Sequence, residues 1–234
     1  MKKIIETLKR KWTEYLLDII VIIIGILGAF ALNSWNEDRI ANISQKESLK
    51  KLTFDLESDI IRFQSLDSLY LVWGIQAKHI LEEVLDSSKD LLQVNEYTVG
   101  RLSMNYLTIK MTTYEEMVNT GLFYKLNDLE FKSISEYYEF ANYEIKKVNL
   151  DNQDFYNWIM ETGGIDYLNT ISRIGLQRNL ENIDWTWLKD PNSLKYKTFE
   201  ARIAFHQLVI RANRLLISRL IAKSKDVIFI IKDH

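Results

Sequence analysis

The sequence predicts an all-α protein: one N-terminal transmembrane helix that continues into a long stalk helix, with an extracytoplasmic helical bundle. Three observations carry this expectation. The chain of 234 residues contains one proline, Pro191, and eight glycines, and so few breakers favour long helices over a many-turned β-fold. The stretch Ile19–Leu32 has no polar side chain. From Leu49 to Val84 apolar residues recur every three or four positions, the spacing of one helical face. Hydrophobic residues make up 47% of the chain, enough for a real core.

The elements follow in order. Residues 1–14 form a cytoplasmic amphipathic segment, with Ile4, Ile5, Leu8 and Trp12 on one face and lysines on the other. Two readings stand: a short helix on the inner leaflet, or a solvated tail carrying topogenic charge. Residues 15–36 form the transmembrane helix. From Tyr15 to Trp35 it covers about 31 Å, the thickness of a hydrocarbon core. Trp12 and Tyr15 at one end and Trp35 at the other are interface anchors in contact with membrane lipid. Lys2, Lys3, Lys9, Arg10 and Lys11 precede the span and only Arg39 closely follows it, which places the N-terminus in the cytoplasm. A cleaved signal peptide ending at Ala29-Phe30-Ala31 is the competing reading; both send residues 37–234 out of the cytoplasm. Within the span, Gly25, Gly28 and Ala29 form a small-residue patch suited to close helix packing, or reflect the ordinary abundance of glycine in membrane helices. Asp18 is the one ionisable residue inside the apolar flanks. It is either an interfacial carboxylate or an intramembrane acid with a role in conduction.

Two stretches carry a resemblance. IGILGAFALNSWNEDR (Ile24–Arg39) and TTYEEMVNTGLFYKLNDLEFKSISEYY (Thr112–Tyr138) together resemble a family of uncharacterised, N-terminally anchored single-span membrane proteins of Bacteroidota. The match covers about a fifth of the chain. Leu17-Asp18 stands where that family often has Gly-Glu, and Ala31 where it often has Gln. The resemblance implies a bacterial inner-membrane location with a periplasmic C-terminal domain, and no activity.

Residues 37–234 are expected to form the extracytoplasmic α-helical domain. The helix continues to about Leu85, with Leu49, Leu52, Leu56, Ile60, Phe63, Leu66, Tyr70, Trp73, Ala77, Ile80 and Val84 along a heptad seam. The seam meets either later helices of the same chain or the same helix of another subunit. Asp86–Asp90 makes the first break. Val94–Met111 is a second helix, with Val99, Leu102, Tyr106 and Ile109 on one face and Gly100 weakening it. Thr112 or Thr113 caps a short third helix that Gly121 ends. Asn127 to Glu130 resembles a capping box opening a fourth helix that runs to about Met160, ended by Gly163-Gly164. Ser193 to about Lys232 forms a long last helix, with Ile203, His206, Ile210, Asn213, Leu216 or Ile217, and Leu220 inward.

Charge is divided unevenly. Residues 192–234 hold nine Lys/Arg against three Asp/Glu, and residues 45–100 hold six against ten. Antiparallel pairing of the first and last long helices puts these opposite charges side by side.

The search for chemistry is negative. There is no cysteine, hence no thiolate nucleophile or Cys-ligated zinc. His79, His206 and His234 stand far apart, without metal-ligand spacing. Glu82-Glu83 and Glu115-Glu116 are neighbours that diverge on a helix. Asp151-Asn152-Gln153-Asp154 lacks the glycine and length of a calcium loop. Trp185-Thr186-Trp187 forms either packing or a ligand platform. No phosphate loop or nucleophile elbow occurs, and a net charge of -2 gives no reason to expect nucleic acid. The expected class is a scaffold or interaction protein without cofactor, a homo-oligomer or part of an envelope complex. The alternatives are a ligand-binding sensor needing a separate transducer and, third, an oligomeric ion pathway.

Overall fold

The computed structural model describes residues 2–84, 106–159, 161 and 186–233. Four α-helices account for most of them: α1 (Lys2–His79), α2 (Thr112–Asn119), α3 (Asp128–Ile159) and α4 (Leu194–Lys232). A π-helical turn, Ile80–Val84, continues α1, and 3-10 turns occupy Phe123–Lys125 and Thr186–Lys189. There is no strand among the described residues.

α1 has 78 residues and spans about 117 Å at ~1.5 Å per residue. Residues 2–14 continue into the apolar stretch without a break in the helix. From Leu16 to Ile40 its side chains face outward, with Ile22 60%, Phe30 70% and Trp35 64% exposed. This is the one described helix long and apolar enough to cross a membrane, and so many bare aliphatic groups favour a lipid environment over water.

Beyond residue 48 the same helix changes character. Leu52, Phe63 and Ala77 have no exposed surface, and Leu49, Leu56, Ile60, Tyr70, Trp73 and Ile80 are buried with them; Leu66 is partly buried against the same core. The seam therefore packs within its own chain. α4 lies antiparallel along it. Lys232 Nζ bonds Glu57 at 2.8 Å, Arg214 forks onto Asp67 at 2.8 and 3.3 Å, and Trp73 approaches His206. The opposed charge surpluses of the two helices thus meet, as the sequence suggests. α3 completes the core, also antiparallel to α4: the Ser224 hydroxyl donates to Tyr137 at 3.0 Å near one end, and Asn152 pairs with Asn213 near the other. A smaller cluster of Ala77, Ile80, Tyr196, Phe199 and Ile203 closes the end far from the apolar stretch.

The helix ends explain themselves locally. Asn127 Oδ1 accepts from the Glu130 amide at 2.9 Å while Glu130 accepts from the Asn127 amide at 3.3 Å, the reciprocal capping box of the sequence. Ser193 caps α4 by accepting from the Tyr196 amide at 3.1 Å. Gly121, at φ 76°, turns the chain after α2 in a conformation that disfavours side chains. One cap is corrected: the residue before α2 is Met111 and has no side-chain bond, because the Thr113 hydroxyl donates instead to Asp55 on α1 at 2.5 Å.

The expected second helix is also corrected where it is described. Residues 106–111 are not helical. They alternate exposed and inward-facing positions, with Leu107 fully buried and Ile109 and Met111 packed on the core. An extended backbone must have its polar groups satisfied from elsewhere, and here side chains of the neighbouring helices do so. Asn149 accepts from the Leu107 amide at 3.0 Å and donates to its carbonyl at 2.8 Å. Asp59 accepts from the Lys110 amide at 2.8 Å and from Arg62 at 2.9 Å. Arg62 also donates to the Thr108 carbonyl, and Tyr138 to that of Lys110. Burial pushes the Asp59 carboxyl above its ordinary range despite these donors. Val99, Leu102, Asp86–Asp90, Gly100, Gly163-Gly164, Trp185 and His234 lie outside the described residues, as do the side chains of Tyr15 and Val84.

Two outcomes follow for urea unfolding of the detergent-solubilised chain. Phe63→Ala, at a fully buried position, lowers stability by ~3–5 kcal/mol, whereas Phe54→Ala, 66% exposed one helical face away, stays within ~1 kcal/mol. Asn149→Ala strands the buried Leu107 peptide groups and destabilises by ~1–3 kcal/mol; equality with Asn142→Ala, an exposed position of the same helix, would mean the clamp is not needed.

Candidate binding cleft between α3 and α4

Along one side of α3, Val148, Asn152 and Phe155 recur at helical spacing. Opposite them α4 presents Phe205, Val209, Ala212 and Asn213. Between the two helices runs a cleft of about 650 Å³. Its floor is polar at one point only. Asn152 and Asn213 are 1% and 0% exposed and face each other amide to amide. Asn213 Nδ2 donates to Asn152 Oδ1 at 3.2 Å and to the Val209 carbonyl at 2.9 Å, and Asn152 Nδ2 returns a bond at 3.4 Å. A paired amide in an apolar seam fixes the register of two helices, because any slip strands buried donors.

Aromatic rings form one wall. Phe155 stacks on His206 at 5.7 Å and 6°, meets Phe205 at 5.0 Å, and Phe205 stands edge-on to Trp158 at 5.9 Å. Phe155 is buried, yet Phe205 is 42% and Leu208 59% exposed. Asp151 and Asp154 stand among the lining residues, and among the described residues no lysine or arginine does. A concave apolar wall with a few polar groups suits binding. Among the described residues no nucleophile and general base are brought together there, and no group of three or more His, Asp or Glu is placed to hold a metal.

The residues singled out from the sequence are dispersed. Trp12 is 65% exposed, and Trp35 carries the Arg39 guanidinium 5.7 Å from its ring. Asp18 is exposed on α1. A Cβ added at Gly25 or Gly28 would touch nothing within 4 Å, so the glycines of the small-residue patch have no partner among the described residues. Trp187 packs edge-on against Phe199 at 5.4 Å and partly buries itself on the smaller core, in line with packing. Of the cleft, the sequence marks His206 and Asn213 as inward residues of the last helix. Asn152 and Phe155 it passes over, although both continue the α3 face of Ala141, Ile145 and Val148 at steps of three and four.

His206 supplies a pH dependence. Burial lowers its pKa from the ordinary 6.5 to about 4, so from 6.5 down to about 4 the unfolded chain binds a proton that the folded chain does not. Stability therefore falls as the pH drops through that window. In His206→Phe the loss of melting temperature between pH 7 and pH 4 shrinks; an unchanged loss would assign it to carboxylates alone.

No family model, curated protein or solved structure matches the chain.

Proposed function

We propose that this chain is an interaction protein of the bacterial inner membrane, anchored by the apolar part of α1 and holding its packed helices in the periplasm to bind another envelope component. The cleft between α3 and α4 is the docking site in this reading. One observation carries it: the described part of the α1 seam is packed inside the chain, while the cleft leaves Phe205 42% and Leu208 59% exposed. Apolar side chains clustered on a concave surface mark a place where a partner covers them. The charge excess ahead of the span and the resemblance at Ile24–Arg39 support the topology. The absence from the sequence of a nucleophile motif or phosphate loop supports binding over catalysis. The partner is either a second copy, joined also through Gly25, Gly28 and Ala29, or a different envelope protein.

A second reading, a periplasmic ligand sensor working through a separate transducer, is favoured by the aromatic wall beside Asp151 and Asp154. These side chains suit an amphipathic cation.

Native mass spectrometry after mild solubilisation from the source membranes tests the first reading. The expected result is a mass above 27.7 kDa: an integer multiple for self-assembly, or the sum with a partner. Leu208→Glu returns the complex to the single-chain mass with the melting temperature unchanged. A single chain before and after substitution would overturn the reading, and a saturable thermal shift with an amphipathic cation, lost in Phe205→Ala, would install the sensor in its place.

A further inference from the structure

The turn between α2 and α3 is tied to α1 at a fixed height. Gln45 Nε2 donates to the Lys125 carbonyl at 3.1 Å, and Gln45 lies ten residues beyond Trp35 on the same uninterrupted helix. No glycine or proline separates them, so the rise is about 15 Å. With Trp35 at the edge of the hydrocarbon, the headgroup layer fills about 5–7 Å of that distance. Helix tilt, commonly about 20°, lowers one side of the packed body further. The remaining gap is within reach of a tyrosine or lysine side chain. No other described segment competes for the position, because α4 ends level with Glu57, about 18 Å farther up the helix.

The chemistry of the turn suits an interface. Tyr124 is 68%, Leu129 51% and Phe131 38% exposed. Lys125 is exposed among them, and Lys132 follows with its side chain 73% exposed. Amphipathic rings and lysine stems are the groups that settle where hydrocarbon meets headgroup. They are held firmly: Tyr124 and Phe131 pack on the buried ring of Phe123, at 6.0 and 4.9 Å, and Phe123 on Tyr114 at 5.3 Å. Asp128 is exposed beside them and Glu136 stands 3.9 Å from Lys132, while Glu130 is buried in the capping box.

We propose that this turn rests on the outer leaflet of the membrane that α1 spans, so that the lipid headgroup surface is a second binding partner of the folded body. The inference rests on the anchored reading given above. Contact at this point fixes the body's tilt relative to the membrane and thereby the direction in which the cleft faces.

The chain has no cysteine, so single cysteines can be introduced and labelled with bimane in the full protein. The host is a nanodisc of phosphatidylethanolamine and phosphatidylglycerol, with or without lipids bearing a nitroxide on the headgroup. Trp35→Cys reports the anchor, Tyr124→Cys and Leu129→Cys the turn, and Leu208→Cys the distant cleft. The expected result is quenching at positions 35, 124 and 129 about twofold or more above that at 208, since headgroup nitroxides act only at short range. A seven-residue helical insertion after Asp38 lifts the turn by about 10 Å and rotates it by only ~20°. It abolishes quenching at 124 and leaves it at 35. Quenching at 35 with none at 124 and 129 would overturn this proposal alone; no quenching at 35 would overturn the anchored reading and the proposal with it.

Discussion

Water is excluded from a strip of α1 that includes Leu52, Leu56, Phe63, Tyr70 and Ala77, and everything beyond the apolar stretch is arranged to maintain that exclusion. A helix of this length is marginal by itself once it leaves a supporting environment, since propensity contributes little per residue and packing contributes most. α4 supplies the longest cover, running antiparallel so that its basic surplus meets the acidic surplus of α1. The ion pairs Glu57–Lys232 and Asp67–Arg214 are partly or wholly exposed, so each contributes no more than ~1 kcal/mol. Their role is selection of direction and register, while the buried apolar surface supplies the stabilisation.

α3 enters the same core through polar pairs placed where slippage would be costly. The Asn152–Asn213 amides and the Tyr137–Ser224 hydroxyls each satisfy a partner only in one register. The extended segment 106–111 adds a third constraint. Its peptide groups are met by Asn149, Asp59, Arg62 and Tyr138 from both sides. These polar contacts tie α1 and α3 to one another through a strip of backbone. Between α3 and α4 the packing leaves the cleft, with Phe205 partly exposed on its wall.

The functional reading grows from this division of surfaces. One face of α1 is consumed by the fold, and from Leu16 to Ile40 its side chains are exposed. The cleft is an apolar concavity of about 650 Å³ that the packing leaves, and the α2–α3 turn meets α1 at Gln45, ten residues beyond Trp35. In the proposed reading, the apolar stretch serves as an anchor and the exposed apolar groove as the binding surface of the body packed beside it.

The sequence by itself determined the helical class, the apolar span, the seam, the Asn127–Glu130 and Ser193 caps and the inward side of the last helix. Each depends on neighbours within one or two turns, where periodicity and capping chemistry act. Even the extended segment left a trace, since Leu107, Ile109 and Met111 alternate with Thr108 and Lys110 in period two. That trace was overridden by the helical spacing of Tyr106 and Ile109 with residues farther back. Only the tertiary structure decided what meets the seam, because a heptad stripe is equally complementary to its own chain and to another copy. It alone placed Asn152 opposite Asn213 and Phe155 against His206, since residues more than fifty positions apart share no local signal. And it alone set the height of the α2–α3 turn, where Phe123 and Leu126 enter the core with Leu49 and Leu52 and Gln45 bonds Lys125 across eighty residues of chain.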